Sequence, residues 1–246
     1  MCKEFDPAWL WDAHCQQQDR LLEGKQLCSE NIEKLIFPTR EEWLQARGKR
    51  IGGSDSSAII GLNPYMDNVE LWKVKSGLIV PEDISDEPYV KYGTKVEHLL
   101  RELFRMDYPQ YEVFYEENNM FINNKYPFAH SSLDGWIRDE KGRFGIWEAK
   151  TTNILQSMQK EKWKDKMPDN YFCQMVHNIA VTEAEFGHMT ALLKYEFDGQ
   201  VYQQIKNYHI ERFEVQDDCI YLMEKESEFW QNVKTGKQPA LILPLI

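Results

Sequence analysis

The run Phe144-Gly145-Ile146-Trp147, ending in Glu148-Ala149-Lys150, constrains the fold of this chain more than any other stretch, because Asp134 lies just upstream in Ser131-Ser132-Leu133-Asp134-Gly135. Alternation along a strand sends Glu148 and Lys150 to one face and Trp147 and Ala149 to the other. The turn around Asp139-Glu140-Lys141-Gly142-Arg143 then decides what the acids can do together. A five-residue loop sets Arg138 opposite Phe144 and carries Asp134 opposite Glu148; a four-residue loop slips the register by one and parts the two carboxylates. Two adjacent carboxylates and a lysine suit metal-assisted hydrolysis of a phosphodiester: hard oxygen ligands hold Mg²⁺, and the lysine orients or helps deprotonate the attacking water. A solvated hairpin face carrying the same residues is the alternative.

A third acid bears on that choice. Gly93 to Phe104 has apolar residues at helical spacing, and Glu97 sits above Leu100 and Phe104, on or beside the buried stripe. An ionised carboxylate there needs compensation, either a metal ion or a salt bridge to Lys95 or Arg101 at the helix rim. Further on, Pro168-Asp169 supplies a helix start, and Tyr171 to Val181 reads as a mostly apolar helix. Tyr171, Gln174 and Asn178 share one stripe of it, with His177 beside. The stripe is either an ordinary hydrogen-bonded face or a wall of the same cleft.

The segment Trp43 to Tyr65 carries two glycines, Gly52 and Gly53, followed by the capping residues Ser54 and Asp55 and a short apolar helix ended by Gly61. Exposed backbone N–H groups at such a helix start, with the Ser54 hydroxyl and Arg47 nearby, form an anion site. A plain capped turn is the other reading.

Taken in order, Trp43-x-x-x-Arg47, Ile51-Gly52-Gly53-Ser54-Asp55, Gly93-x-x-x-Glu97, Leu133-Asp134-Gly135, Glu148-Ala149-Lys150 and Tyr171-x-x-Gln174 resemble the YqaJ-type viral recombinase family, which includes the phage lambda-type exonuclease, within the PD-(D/E)XK nuclease superfamily. The resemblance covers roughly Glu41 to Val181 and departs at Leu133, where the superfamily name records proline. It implies that Glu97, Asp134 and Glu148, with the carbonyl of Ala149, bind Mg²⁺, two ions in all, with Mn²⁺ able to substitute. It further implies that Lys150 acts on the nucleophilic water, that Gln174 supports the site, that Tyr171 helps place the strand, and that Arg47 and Ser54 hold a DNA 5′-phosphate. A homotrimeric ring and a single-strand annealing partner follow from the resemblance alone.

Composition is consistent with these readings. A length of 246 residues, 42% of them hydrophobic, suits one nuclease domain over residues 38–246 behind a helical N-terminal extension over 1–37, where apolar residues lie among charges up to Pro38. No apolar run reaches membrane-spanning length and the start is no signal peptide, so a cytoplasmic protein of a phage or prophage is expected, with no membrane partner. Five widely spaced cysteines without a Cys-x-x-Cys pair imply neither disulfides nor a zinc or iron–sulfur site. The net charge of -11 confines any path for DNA to local patches. The candidates are Arg40, Arg47, Lys49 and Arg50, and Lys160, Lys162, Lys164 and Lys166, the lysines interleaved with Glu161 and Asp165. After Val181, alternating residues from Gly187 to Phe197 and from Val201 to Ile210 flank the hairpin signal Asp198-Gly199; a long helix and a docked apolar tail follow.

The expected fold is α/β of the PD-(D/E)XK, restriction-endonuclease-like type, a mixed central sheet of the two hairpins flanked by helices around Ser54, Glu97 and Gln174. The expected activity is Mg²⁺-dependent 5′→3′ digestion of linear double-stranded DNA from its ends. An endonuclease of the same chemistry and an inactive DNA-binding or interaction module are the alternatives.

Overall fold

In the computed structural model the hairpin closes in the register that brings the acids together. Strands β6 (Gly135–Arg138) and β7 (Phe144–Ile154) pair antiparallel, with Arg138 opposite Phe144 and Gly135 opposite Trp147. The loop is fixed locally: Asp139 Oδ1 accepts the N–H groups of Lys141 (3.0 Å) and Arg143 (2.9 Å), and Gly142 takes the positive φ of 79° that the turn requires. The description covers residues 30–154 and 161–243. The expected extension up to residue 29, Cys2, Cys15, Cys28, Lys160 and the last three residues of the tail lie outside it.

This hairpin is the centre of a five-stranded sheet of order β3-β6-β7-β8-β9, with β3 (Glu112–Phe114) at one edge and β8 (Phe186–Phe197) and β9 (Gln200–Glu211) on the other side. Strands β8 and β9 form the second expected hairpin, turning through Asp198 and Gly199, both at positive φ (51° and 70°), the two-residue turn whose twist matches its strands. Strands β7 and β8 run parallel, Glu148 beside Met189, so the chain must cross over between them. Helix α5 (Asp169–Thr182) makes that crossover.

The remaining helices are α1 (Arg40–Gly48), α2 (Gly53–Ile59), α3 (Asn68–Lys75), α4 (Pro88–Asp107) and α6 (Gln216–Thr235). Strand β7 is buried on both faces, and its alternation divides the core. Ile146 packs with Met175, Val176, Ile179 and Met189 under α5, while Trp147 packs with Leu100, Phe104 and Phe186 under α4. Glu148 and Lys150 fall on the Ile146 side and therefore face α5. Helix α6 backs α5 through Cys219, Leu222 and Met223 and through a fully buried pair, His177 Nδ1 to Glu226 Oε1 at 2.8 Å. His177 Nε2 donates to the His130 carbonyl at 2.9 Å, so α5 is held in rotation from both sides.

The helical extension expected over residues 1–37 requires a correction. Ile32–Ile36 is strand β1, antiparallel to the fully buried β4 (Asn119–Asn123). Apolar residues at 32, 35 and 36 fit either period, and the open edge of β4 decides between them. The short strands β2 (Ile51–Gly52) and β5 (Ala129–His130) pair in parallel and anchor the start of α2. Of the apolar tail expected to dock, the backbone is tied by Asn68, whose amide donates to the Ala240 carbonyl (2.8 Å) and accepts from the Ile242 N–H (2.9 Å), while the side chains of Leu241, Ile242 and Leu243 stay exposed.

Candidate active site

Asp134 is the residue before β6, and its Oδ2 accepts the Ala149 N–H at 2.9 Å, which fixes one acid to the backbone of the strand bearing the other. Glu148 is 2% exposed. Its Oε1 accepts from Lys150 Nζ at 2.6 Å and from Gln174 Nε2 at 2.5 Å, and its Oε2 accepts from Asn178 Nδ2 at 3.4 Å. Gln174 and Asn178 are one helical turn apart on α5, so a single face of that helix grips both carboxylate oxygens. Glu97, half-buried on α4, accepts from Arg101 Nη1 at 3.3 Å. The same nitrogen donates to the Asp134 carbonyl at 2.5 Å.

These contacts do not satisfy the acids electrostatically. Burial first, and the charge of Asp134 second, push the Glu148 carboxyl up to about 8 in spite of Lys150. The same two causes, in the same order, raise Glu97 to about 7 against the pull of Arg101. Burial works to lower Lys150, but Glu148 and Asp134 overcome it and hold the ammonium charged. The result is a set of oxygen donors short of positive charge, which fits a hard divalent cation. Among the described residues, however, no three acidic, histidine or cysteine side chains are gathered tightly enough to hold an ion as they stand. Each acid is instead turned onto a protein donor.

Arg47 reaches this cluster from α1. Its guanidinium lies 4.4 Å from the Trp43 ring centre, which gives the Trp43-x-x-x-Arg47 spacing a physical meaning as one turn of stacked helix face. Trp43 Nε1 in turn donates to the Asn119 carbonyl (3.0 Å) and Ser132 Oγ (3.2 Å), tying α1 to β4 and to the approach to Asp134. Burial lowers the Arg47 pKa, and Asp55, Asp134 and Glu148 oppose that shift, so the cation lies in the field of the acids. Arg47 makes no side-chain hydrogen bond or ion pair with the described residues. Ser54 is exposed in the first turn of α2.

The helix-start reading needs one correction. The Gly52 N–H is not open to a ligand, because Asp55 Oδ2 accepts it at 2.9 Å while also pairing with Lys75 at 2.6 Å. The second glycine serves packing. A Cβ at Gly53 would stand 2.7 Å from Asn178 Oδ1 and 3.1 Å from Gln174 Cγ, so only glycine lets α2 approach the two residues that hold Glu148.

Tyr171 lines the cleft beside the lysine, its ring centre 5.4 Å from Lys150 Nζ and 5.3 Å from that of Trp163. Of the interleaved lysines, Lys164 pairs with Glu161 (3.3 Å) and Lys166 with Asp169 (2.8 Å), both as exposed pairs on a solvated face. Sequence reasoning placed Arg101 only as a rim salt bridge and Asn178 only on a stripe. Their positions at i+4 from Glu97 and from Gln174 were the signal for both.

The profile of the YqaJ-like viral recombinase domain matches residues 42–185. The chain is 30% identical, over 217 residues, to the uncharacterised protein YqaJ of Bacillus subtilis, an alignment covering 87% of this chain and 62% of that protein's length. Among solved structures, the alkaline exonuclease LHK-Exo of Laribacter hongkongensis superposes with a TM-score of 0.55 at 16% identity, covering 80% of this chain and 94% of the other. LHK-Exo in complex with dAMP superposes with a TM-score of 0.57 at 19% identity, with the same coverage. At such identities the likeness is one of fold. With the profile spanning more than half of its length, the chain belongs to the family of the YqaJ-like viral recombinase domain.

Proposed function

We propose that this protein is a divalent-metal-dependent DNA nuclease that digests linear duplex from its ends in the 5′→3′ direction and so exposes single strands for annealing recombination. The observation that carries the reading is the set of Asp134, Glu148 and Glu97 around Lys150, with Glu148 at about 8 and Glu97 at about 7 because burial and Asp134 leave them undercompensated. That Laribacter hongkongensis LHK-Exo is an alkaline exonuclease and has been solved with dAMP supports the same chemistry here.

Glu97, Asp134, Glu148 and the Ala149 carbonyl are the residues that would hold Mg²⁺ or Mn²⁺, which supplies positive charge for the phosphodiester oxygens. The chain's own groups do the rest. Lys150 Nζ, a charged ammonium 2.6 Å from Glu148 Oε1, orients a water beside the carboxylate and stabilises the hydroxide left when the water's proton passes to solvent. Gln174 and Asn178 fix the Glu148 rotamer. Tyr171 confines the lysine and helps place the strand. Arg47, which has no hydrogen-bond acceptor among the described residues, and Ser54 hold the terminal 5′-phosphate by charge-assisted hydrogen bonds. At a net charge of -11, retention on DNA rests on enclosure rather than on adhesion, which favours a closed ring, with the number three implied by the family resemblance alone.

Purified protein incubated with Mg²⁺ and either linear or covalently closed circular duplex tests the reading. Digestion of the linear form alone supports it. Cleavage of the circle assigns an endonuclease, and no cleavage of either assigns an inactive binding module.

A further inference from the structure

Arg101 is the charged group in the cleft whose placement the functional reading leaves unused. It is 5% exposed, a rare condition for arginine outside a defined contact. Its two partners at the site are unequal. The bond from Nη1 to the main-chain carbonyl of Asp134 is short, 2.5 Å, whereas the contact of the same nitrogen with Glu97 Oε1 is 3.3 Å, near the limit of a hydrogen bond. The guanidinium also stacks 3.7 Å from the Tyr115 ring centre. Its Cδ lies against Gly135, where a Cβ would meet it at 3.7 Å. The carbonyl and the glycine backbone are fixed parts of the fold, so the arginine is a post. Glu97, a flexible side chain on the weaker contact, is the part that can leave.

We infer that Arg101 is a positioning residue with two separable actions: its rigid guanidinium, through Nη1, locks the Asp134 carbonyl, and its charge is a counter-ion that a divalent cation must displace from Glu97. The inference rests on the metal-nuclease reading of the site. The two actions have opposite consequences. Losing the guanidinium bond to the Asp134 carbonyl loosens Asp134 and lowers turnover. Losing the charge frees the Glu97 carboxylate for an incoming cation, a gain that exceeds the preorganisation Glu97 gives up.

Two variants separate them. Arg101→Met keeps the apolar stem against Tyr115 and removes the charge; Arg101→Lys keeps a charge and removes the rigid planar guanidinium that holds Nη1 on the Asp134 carbonyl. Calorimetric titration with Mn²⁺ should show Arg101→Met binding about fivefold or more tightly than wild type and Arg101→Lys binding within about twofold of it. Both should lose kcat on linear duplex by about tenfold or more with little change in KM. In a Glu97→Gln background, Arg101→Met should no longer tighten Mn²⁺ binding, because the competition runs through Glu97. A role in stability alone would lower the melting temperature and leave Mn²⁺ affinity unmoved. Unchanged or weaker Mn²⁺ binding by folded Arg101→Met overturns the inference while leaving the nuclease reading standing. Wild-type protein that binds no Mn²⁺ at all overturns both.

Discussion

Replacing Asp134 with asparagine should make the metal-free protein less sensitive to alkali, and the size of the effect follows from the acid cluster. Glu148 titrates at about 8 in the folded protein, against 4.5 for an ordinary glutamate, because of burial and then Asp134. A carboxyl raised in this way keeps its proton in the folded state at pH values where the unfolded chain has lost its own. Its contribution to stability is therefore complete below the ordinary value and is lost as pH rises through the folded one. Converted at about 1.4 kcal/mol per unit, Glu148 alone removes about 4 kcal/mol between pH 5 and pH 9, of which about 1 to 2 kcal/mol falls above pH 7. Glu97, at about 7, adds a smaller loss of the same sign.

Asparagine at 134 still offers an oxygen to the Ala149 N–H but carries no charge, so both glutamates fall back toward the ordinary range and the slope flattens. Urea unfolding in EDTA, near pH 7 and near pH 9, measures it. Wild type should lose about 1 kcal/mol more than Asp134→Asn over that interval. The comparison between the two proteins cancels the buried histidines His130, His177 and His188, which titrate in both. An Asp134→Asn variant that loses as much stability as wild type would refute the claim that Asp134 dominates the field at Glu148 after burial.

Two further predictions follow from the same geometry. Lys150→Ala should lower turnover by about a hundredfold or more while retaining Mn²⁺ binding, since the lysine acts on water; loss of the calorimetric Mn²⁺ signal would contradict that division of roles. Arg47→Ala should shrink the preference for 5′-phosphorylated over 5′-hydroxyl ends by about 1.5–3 kcal/mol, the loss of one charged hydrogen bond. An equal loss on matched duplexes with either end would return the Gly52-Gly53-Ser54 turn to a packing role only.

The turn between Asp134 and Glu148 was legible, but its register was left open between a five- and a four-residue loop, and Asp139 with Gly142 decides for five. The Asp198-Gly199 hairpin was legible because its two-residue turn is a local feature. What sequence could not supply depends on partners distant along the chain. Ile32–Ile36 is a strand because β4 offers it an edge, and nothing within those residues selects that period over a helix. The parallel pairing of β7 with β8 depends on how α5 crosses between them. The burial of Arg101 arises where α4 meets the start of β6, and the His177–Glu226 pair where α5 meets α6. The glycine pair before Ser54 read as an anion loop, whereas Gly53 gives clearance for Gln174 and Asn178, a requirement visible only once α2 and α5 are side by side.

Hydrolysis of linear duplex by wild type and by Asp134→Ala, each shown to be folded by circular dichroism and assayed with Mg²⁺ and with EDTA, tests the central claim most directly. Wild type should digest the duplex in Mg²⁺ alone, and Asp134→Ala should show no digestion above the EDTA control. Removing one acid relieves repulsion in the cluster and leaves the Ala149 N–H without its acceptor, two opposed effects that should leave the variant folded without metal. Near wild-type digestion by folded Asp134→Ala would contradict the assignment of these acids to the chemistry.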